Sequence, residues 1–439
     1  MNKKIISLIF LSTLFAFAAK AQHPIITTKY TADPAPMVYN DTVFLYTTHD
    51  EDNADNFLMK DWLLYTSTDM VNWTDRGVVA SLKSFSWVKL DNGAWAEQVV
   101  ARNGKFYMYC PIHGNGIGVL VSNSPYGPFI DPLGKSLVWQ KDNWNDIDPT
   151  VFIDDDGQAY MYWGNPELYY VKLNKDMISY SGEIHKLTHP EHYQEGPWFY
   201  KRKGKYYLAF ASTCCPEGIG YAMSDSAGGP WKSMGYIMSP TDKTRGNHPG
   251  IMDYKGKSYV FGLSYDLMHM TTTMEHHERR SVSVAEMHYR NDGTIETVPY
   301  WSKEGVKQLS YLNPYNKVQA ETMAWGQGIK TSSDKKQDVY ITNIDNQDYL
   351  MVKGVDFKKG AKLFTVNAYP INGGNIEIHI DSLKGVKIGT CSIKKEQKQN
   401  GWSTIKTNVR KVTGIHDLFL VFKGNESDLF NLDWWKFKQ

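Results

Sequence analysis

Five segments in the first 300 residues repeat one arrangement of polar and apolar positions. Each begins with a polar or acidic residue beside a proline or a small residue, runs through an apolar stretch to a turn, and ends in a strand rich in aromatics. The copies begin at Ala32, Gly93, Asp146, Glu195 and Asn247. Their turns, Asn-Asp, Asn-Gly, Asp-Gly and twice Lys-Gly, are typical of β-hairpins.

A second pair of strands follows each copy. These pairs begin at Leu63, Ile117, Leu168, Ile219 and Val282. Two hairpins per copy predict four strands, and four-stranded units repeated at about 50 residues are the blades of a β-propeller. We find no helical period before residue 300, and a β-sandwich would not show this register five times. The sequence therefore predicts an all-β fold that contains a five-bladed propeller over residues 22–305.

The pattern changes after Trp301. Residues 306–317 carry no blade signature and read as a linker. From Val318 to Gln439 the chain shows short alternating strands and glycine turns over about 120 residues, the size of one β-sandwich. The predicted organisation is thus a propeller followed by a sandwich domain over 318–439.

The N-terminus resembles an export signal. Lys3 and Lys4 precede an apolar run that ends at Ala18, and Ala19-Lys20-Ala21 fits a small-residue cleavage site. The run is shorter than the roughly 20 residues that a membrane span needs. We expect a signal peptide over residues 1–21, no membrane span, and a periplasmic or secreted protein.

Charge and cysteine content exclude some classes of partner. The 48 basic residues nearly balance the 47 acidic ones, which gives no reason to expect nucleic acid. Aromatics are abundant, with 14 Trp and 28 Tyr, and suit flat neutral ligands such as sugar rings. The four cysteines form neither a metal-ligand pattern nor a disulfide framework. Cys214 and Cys215 could form a disulfide, but we favour two small residues at a strand end.

The first polar position of each copy marks the candidate site. The first strand of each blade lines the axis of a propeller, so these five residues are expected to converge there. They are Asp33, Glu97, Asp148, Glu195 and His248. Clustered carboxylates raise one another's pKa, and they suit either metal binding or acid–base cleavage of a glycosidic bond. Tryptophans near the strand ends favour the second. No zinc-ligand set and no nucleophilic serine elbow are present.

At this point three motifs resemble the signatures of glycoside hydrolase family 43. They are Ala32-Asp33-Pro34, Asp146-Ile147-Asp148-Pro149 and Glu195-Gly196-Pro197-Trp198. The resemblance implies an inverting glycosidase in which Asp33 is the general base, Glu195 the general acid, and Asp148 the pKa modulator that orients the acid. It also implies a separation of roughly 6.5–9.5 Å between base and acid.

The same resemblance implies further substrate contacts. His248 matches an axial His that often orients water or an ion, and Arg280 lies in a segment like the fifth-blade Arg segment. We also expect Trp95 and Trp198 to contact substrate. Where the family often has Trp-Ala-Pro, this chain has Trp95-Ala96-Glu97. Glu97 is then either a further contact to sugar hydroxyls or a structural acid paired with an Arg.

The C-terminal domain resembles family 6 carbohydrate-binding modules. The resemblance rests on six segments that begin at Val318, Val355, Gly389, Gly401, Val412 and Phe430, with His416-Asp417 inside the fifth. It implies a jelly-roll sandwich in which Tyr340 and Trp402 hold a sugar ring between them and Asn431 adds a hydrogen bond. Glu321 and Asp433 match positions that often bind a structural Ca²⁺. A degenerate, purely structural domain is the alternative.

Together these features predict a monomeric pentose-releasing glycosidase that acts on plant cell-wall polysaccharide and needs no cofactor for catalysis. We favour α-L-arabinofuranosidase activity on xylan or arabinoxylan, followed by β-xylosidase activity and by arabinan- or galactan-directed activity. A non-catalytic carbohydrate-binding protein is the alternative of another class. A propeller that binds a protein partner is a third, and it should show apolar patches at its axis mouth.

Overall fold

The computed structural model describes residues 23–141, 144–302, 305–334, 338–395 and 401–439. The predicted signal peptide lies outside this part of the chain. Within it, no helix is both long and apolar enough to cross a membrane.

The N-terminal domain is a five-bladed β-propeller, as predicted. Blade one contains β1 Tyr30–Tyr39, β2 Thr42–Asp50, β3 Asp61–Ser67 and β4 Trp73–Ser81. Blade two contains β5 Gln98–Arg102, β6 Lys105–Pro111 and β7 Ile117–Ser122. Blade three contains β8 Thr150–Ile153, β9 Ala159–Trp163, β10 Leu168–Leu173 and β11 His185–Leu187. Blade four contains β12 Tyr193–Arg202, β13 Lys205–Ser212, β14 Glu217–Ser224 and β15 Lys232–Thr241. Blade five contains β16 Gly250–Tyr254, β17 Lys257–Ser264 and β18 Ser281–Met287.

The turns between the first two strands of each blade explain why the repeat is so regular. In four of the five turns both central residues have positive φ, for example 52° and 74° at Asn103 and Gly104. This is the type I′ geometry whose twist matches that of the flanking strands. The turn sequences therefore set the register of the inner hairpin of each blade.

Two blades depart from the predicted four strands. Among the described residues, blades two and five have three strands each. In blade two the outer segment pairs with β7 through two isolated bridges, Val121 with Ile130 and Ile117 with Val138. Pro128 and Pro132 flank Ile130, and proline cannot donate a ladder hydrogen bond, so no continuous ladder forms at Ile130. The expectation of no helix is also slightly wrong, because α1 covers Asp266–Thr271 and a single 3₁₀ turn covers Leu82–Ser84.

The C-terminal domain is a β-sandwich of two antiparallel sheets. One sheet has the order β22-β23-β30-β25-β28, with β19 paired to β30, and the other has the order β21-β24-β29-β26-β27. The first sheet contains β19 Val318–Gln319, β22 Lys330–Ser333, β23 Val339–Thr342, β25 Ala361–Pro370, β28 Ser403–Val412 and β30 Phe430–Lys438. The second contains β21 Trp325–Gln327, β24 Tyr349–Asp356, β26 Gly374–Ile380, β27 Val386–Ile393 and β29 Ile415–Lys423. Alternating apolar side chains of both sheets form one core between them.

One strand of the sandwich joins the propeller. Strand β20, Thr322–Met323, pairs antiparallel with β4 and extends blade one to five strands. Behind this seam, Trp73 of blade one lies in the same apolar cluster as Met351 and Phe419 of the sandwich. Each such buried side chain contributes roughly 1.5–3 kcal/mol, more than the 0.5–1.5 kcal/mol typical of one hydrogen bond. Apolar packing therefore holds the two domains together, and the short strand sets their register.

Candidate active site

The first strands of the blades bring the predicted residues to one end of the axis. A cavity of about 350 Å³ opens there and is lined by Asp33, Asp148, Glu195, His248 and Arg280, among others. A second cavity of about 20 Å³, with room for a single water molecule, is lined by Asp33, Asp148 and His248 together with Glu97 and Trp198. The predicted convergence of the five repeat positions is thus observed, but over two adjoining spaces. The larger one is called the sugar cavity below.

Backbone strain aims the carboxylates. Asp33 and Asp148 each precede a proline and have φ of 50° and 56°, a left-handed conformation that is unfavourable for residues other than glycine. Both the β1–β2 and the β12–β13 pairings shift register at the motif, which is the mark of a β-bulge. Bulges re-aim a side chain at the end of a strand, and strain of this kind concentrates at functional sites.

Gly196 makes room for the central histidine. A Cβ atom at this position would lie 2.6 Å from the His248 ring, closer than such atoms approach one another. The glycine of the Glu-Gly-Pro motif is therefore required by the close approach of blades four and five.

Asp33 accepts three charge-stabilising contacts. Thr48 Oγ1 donates to its Oδ2 at 2.9 Å, and Arg280 Nη1 donates to its Oδ1 at 3.1 Å. His248 Nδ1 lies 3.4 Å from the same Oδ1. Only 4% of the Asp33 side chain is exposed, so these donors replace the water that an ionised carboxylate would otherwise need.

Asp148 and Glu195 lie side by side in different environments. Asp148 has 3% of its side chain exposed and accepts a hydrogen bond from the backbone N–H of Gly196 at 3.1 Å. Burial, followed by the nearby Glu195 and Asp33 carboxylates, raises the pKa of Asp148 to about 7 against the opposing charge of His248. Glu195 has 22% of its side chain exposed and accepts a hydrogen bond from the Asn165 amide. Of the three acids, Glu195 is the one that reaches into open space.

His248 lies among all three carboxylates. Its Nε2 is 3.8 Å from Asp148 Oδ2 and 3.9 Å from Glu195 Oε1. Burial by itself would lower the pKa of His248, but Asp33, Asp148 and Glu195 outweigh it and raise that pKa to about 10. The imidazolium therefore balances part of the negative charge at the axis.

Within the part of the chain that the structure describes, two groups of side chains have the spacing of a metal site. In Asp148, Glu195 and His248, and again in His49, Glu51 and Asp61, the candidate ligand atoms lie within 4.8 Å of one another. In the first group a proton competes with any metal ion for the ring of His248, whose pKa is raised to about 10. In the second group Lys60 lies 3.9 Å from Glu51 and already neutralises part of its charge.

Sequence reasoning missed two buried acids that support this site. Asp50 accepts hydrogen bonds from Nε, Nη2 and the backbone N–H of Arg280 at 2.9–3.0 Å. Glu217 accepts hydrogen bonds from the backbone N–H groups of Gly246 and Asn247, directly before His248. Burial is the largest cause that raises the pKa of Glu217 to about 7. Neither acid occupies the repeat position, so the pattern that revealed the others gave no signal here.

The remaining predicted contacts divide between the two spaces. Trp95 lines the sugar cavity and stacks on His113 with the ring centroids 4.3 Å apart. Trp198 does not reach the sugar cavity; it is 8% exposed, and its Nε1 donates to the Ile251 carbonyl. The expectation that Trp198 contacts substrate is therefore wrong, because the strand turns its ring into the propeller core. Trp144, one of the tryptophans near the strand ends that favoured a glycosidase, is 51% exposed and lines the cavity instead.

Glu97 is buried without a partner. Neither carboxylate oxygen has a hydrogen-bond partner, so the suggested pairing with an Arg is wrong. Burial is the largest cause that raises the pKa of Glu97 well above its usual value, and this side chain lies beneath the sugar cavity. The suggested contact with sugar hydroxyls is not seen in this position, since Glu97 lines only the smaller cavity.

The paired cysteines form a disulfide, contrary to our favoured expectation. Cys214 is bonded to Cys215 in the turn before β14, and Cys214 lines the sugar cavity. Two residues later the chain reaches Glu217. The disulfide therefore lies in the turn directly before Glu217, the acid that accepts hydrogen bonds from the backbone of Gly246 and Asn247.

The sandwich carries an aromatic cluster, but not the predicted clamp. The Tyr340 and Trp402 rings are 5.3 Å apart and meet edge to face, with Tyr369 5.9 Å from Trp402 on the other side. Rings at this distance are in direct contact, so no sugar fits between them. The predicted sugar clamp between Tyr340 and Trp402 is therefore not formed, because β23 and the segment before β28 bring the two rings into contact. Asn431 lies opposite Tyr369 in the sheet, and its side-chain oxygen is unpartnered.

Glu321 and Asp433 fit the predicted Ca²⁺ site. Both are 2% exposed, and each keeps one carboxylate oxygen without a hydrogen-bond partner. The other Asp433 oxygen accepts from the Asn367 amide at 2.9 Å. Buried unpartnered oxygens are costly, and a hard cation such as Ca²⁺ would satisfy them.

Comparison with known proteins decides what this arrangement is. A family model described as "Glycosyl hydrolases family 43" matches residues 21–295, more than half of the chain. The chain belongs to this family. It is accordingly a glycoside hydrolase, and the acids at its axis occupy the family's catalytic domain. A second model, "Carbohydrate binding module (family 6)", matches residues 319–439. Together the two domains imply a polysaccharide substrate.

Similar proteins cover one or both domains. The "Arabinoxylan arabinofuranohydrolase" of Paenibacillus polymyxa is 32% identical over 94% of this chain and 74% of its own length. The "Xylosidase/arabinosidase" of Bacteroides ovatus is 30% identical over 61% of this chain and 95% of its own. The solved structure of the family 43 arabinoxylan arabinofuranohydrolase from Bacillus subtilis, in complex with cellotetraose, has a TM-score of 0.83 and 30% identity. It covers 95% of this chain and 98% of that one.

Proposed function

We propose that this glycosidase removes single α-L-arabinofuranosyl units from xylan or arabinoxylan chains of the plant cell wall. The observation that carries the proposal is a cavity of about 350 Å³ at the axis, a size that suits one sugar unit rather than a long chain. The named relative that matches both domains is an arabinoxylan arabinofuranohydrolase, whereas the xylosidase/arabinosidase matches little more than the propeller. β-Xylosidase activity is the second candidate, because the xylosidase/arabinosidase also matches the propeller.

The three carboxylates divide the work by their surroundings. Asp33, held by Arg280 and Thr48, accepts a proton from the water that attacks the anomeric carbon. Glu195, the most exposed of the three, donates its proton to the departing glycosidic oxygen as the bond to carbon breaks. Asp148 holds the chain of Gly196 beside Glu195, and His248 links all three acids. Attack opposite the leaving group inverts the anomeric carbon, a reaction that requires a base and an acid roughly 6.5–9.5 Å apart.

Sugar release from nitrophenyl glycosides tests the proposal. We expect the protein to free arabinose from the α-L-arabinofuranoside faster than xylose from the β-D-xyloside. Glu195→Ala and Asp33→Ala should each lower the rate by a factor on the order of 10² or more. Glu183→Ala, an exposed glutamate on blade three, is the matched control and should follow the wild type. Unchanged rates in both acid variants would sink the proposed roles, and silence on every pentoside would favour a carbohydrate-binding protein.

We also propose that the protein is exported, binds Ca²⁺ at Glu321 and Asp433, and acts as a monomer. The Cys214–Cys215 disulfide supports export, because such bonds persist in oxidising compartments. The unpartnered oxygens of Glu321 and Asp433 support the ion. Fractionation of the native cells and light scattering of the purified protein test location and oligomeric state.

A further inference from the structure

The disulfide between Cys214 and Cys215 lies on the solvent side of the sugar cavity. Both residues belong to the exposed turn between β13 and β14, and Cys214 lines the cavity. Asp33 and Asp148, which line the same cavity, are almost completely buried. The disulfide therefore lies where both a ligand in the cavity and a reagent in solution can reach it.

The apolar part of the cavity lining comes mainly from one side of the propeller. Phe57 and Met59 belong to blade one, and Trp95 and Trp144 lie before and after the strands of blade two. Blade four stands across the axis from these two blades. Its other residues in the lining are both acids, Glu195 and Glu217. Cys214 is thus the apolar side chain that blade four contributes to the cavity.

This distribution suits a single sugar unit. A sugar ring has two apolar C–H faces and an edge of polar hydroxyls. Aromatic rings from blades one and two can cover one face, and the polarizable sulfur of the disulfide can cover the other. Asn165 and Arg245, which also line the cavity, then supply polar groups for the hydroxyls. Such a mixture of apolar walls and a few polar groups is typical of small-molecule sites.

The turn that carries the disulfide is anchored at its base. The backbone N–H of Gly218 donates to Ser212 Oγ at 2.8 Å and closes residues 213–216 into a turn. The backbone N–H of Thr213 donates to the His192 carbonyl at 2.9 Å. The bond between neighbouring cysteines then fixes their side chains within this turn. A ligand would meet a surface that is already ordered, which lowers the entropic cost of binding.

A purely structural role of the disulfide would act through Glu217 instead. Glu217 accepts hydrogen bonds from the backbone of Gly246 and Asn247. A Cβ atom at Gly246 would lie 3.3 Å from Arg280 Nη1 and 3.8 Å from Glu195 Oε1, so a shift of this segment would reach the acid. The two roles predict different kinetics. Loss of a sugar contact raises KM, whereas displacement of the acid lowers kcat.

We propose that the Cys214–Cys215 disulfide, through Cys214, forms the wall of the sugar cavity that contacts a C–H face of the pentose to be released. This inference rests on the proposed function for the identity of the sugar. It assigns a substrate contact on blade four and makes the affinity for pentose depend on the oxidation state of the cysteine pair.

Kinetics on the nitrophenyl pentoside that the wild type cleaves faster test this contact. The double variant Cys214→Ser/Cys215→Ser replaces the apolar disulfide with two hydroxyls. Its KM should rise about fivefold or more, while kcat should stay within about twofold. Dithiothreitol should also raise the KM of the wild type, because the disulfide takes up two electrons and two protons and becomes two thiols while dithiothreitol closes to its cyclic disulfide. Reoxidation with glutathione disulfide should restore the KM.

The same reductant applied to the double variant is the matched control. Cys110 and Cys391 are free and buried, so dithiothreitol should leave the KM of the variant unchanged. Thermal midpoints establish that both proteins are folded, and reduction of the wild type gives the same comparison if the variant does not fold. An unchanged KM, or a fall in kcat larger than the rise in KM, overturns the sugar contact. The second result would assign the disulfide the structural role through Glu217.

Direct binding separates this inference from the proposed function. If the wild type cleaves neither the arabinofuranoside nor the xyloside, the proposed function fails. Calorimetric titration of the wild type and the double variant with L-arabinose and with D-xylose then tests the disulfide without catalysis. An affinity about fivefold or more lower in the variant supports the contact. Equal affinities, or no binding of either pentose by the wild type, overturn it.

Discussion

The sugar cavity and the aromatic cluster of the sandwich are built in opposite ways. At the cavity, Asp33 and Asp148 are almost completely buried, sit on strained backbone and are held by Arg280, His248 and Thr48. In the sandwich, Tyr340 on β23 and Trp402 directly before β28 are half-buried and touch one another. Charges removed from water gain strength but must be held by partners, whereas ring faces need only remain accessible. The difference separates a site of buried, held charges from a partly exposed aromatic surface.

The buried support of the cavity should give the largest effect after the acids themselves. Asp50→Asn keeps the shape of the side chain but removes the charge that holds Arg280 against Asp33. We expect kcat on the arabinofuranoside to fall by a factor on the order of 10², as when a preorganised electrostatic contact is lost. Asp55→Asn, an exposed change on the neighbouring loop, is the control. A kcat equal to that of the wild type would show that Arg280 needs no support.

Loss of the aromatic face should have a smaller effect. Trp402→Ala removes the central ring of the cluster, and we expect retention on insoluble arabinoxylan to weaken about tenfold, since each stacked ring contributes on the order of 1 kcal/mol. Trp139→Ala changes another exposed tryptophan, on the propeller, and should leave retention unchanged. If both variants are retained alike, the cluster is structural.

Removal of the proposed ion should act on stability rather than on chemistry. A chelator would leave the Glu321 and Asp433 oxygens buried and unpaired, and we expect the thermal midpoint to fall on the order of 5 °C. Added Ca²⁺ should restore it. The double variant Glu321→Gln/Asp433→Asn should show no change of thermal midpoint with chelator or Ca²⁺. If chelator leaves the thermal midpoint of the unaltered protein unchanged, the ion is excluded.

The pH dependence of stability should show a still smaller effect at Glu217. Its folded pKa of about 7 lies above its ordinary value of 4.5, so the folded state binds more protons than the unfolded state between these values. The free energy of unfolding therefore falls as pH rises through this window. Urea unfolding at the two ends of this pH window measures the fall in the free energy of unfolding. Glu217→Gln should make that fall smaller, while Glu183→Gln should leave it unchanged. An identical slope in the Glu217 variant would contradict the raised pKa.

The repeat positions show how far sequence reasoning reaches. Asp33, Asp148, Glu195 and His248 could be found because the same register returns in every blade, and the hairpin turns fix that register locally. Asp50 and Glu217 lie on other strands, and only packing brings them to Arg280 and to the segment before His248. Sequence alone gave no means of finding them.

The sequence by itself determined the strands, the turns, the order of the domains and the identity of the axial acids. These follow from short-range sterics and from a period that is visible along the chain. Only the tertiary structure decided that Trp198 turns into the core, that Tyr340 and Trp402 touch, and that Cys214 lines the sugar cavity. Those outcomes depend on the packing of segments far apart in the chain, and a local sequence pattern does not specify such contacts.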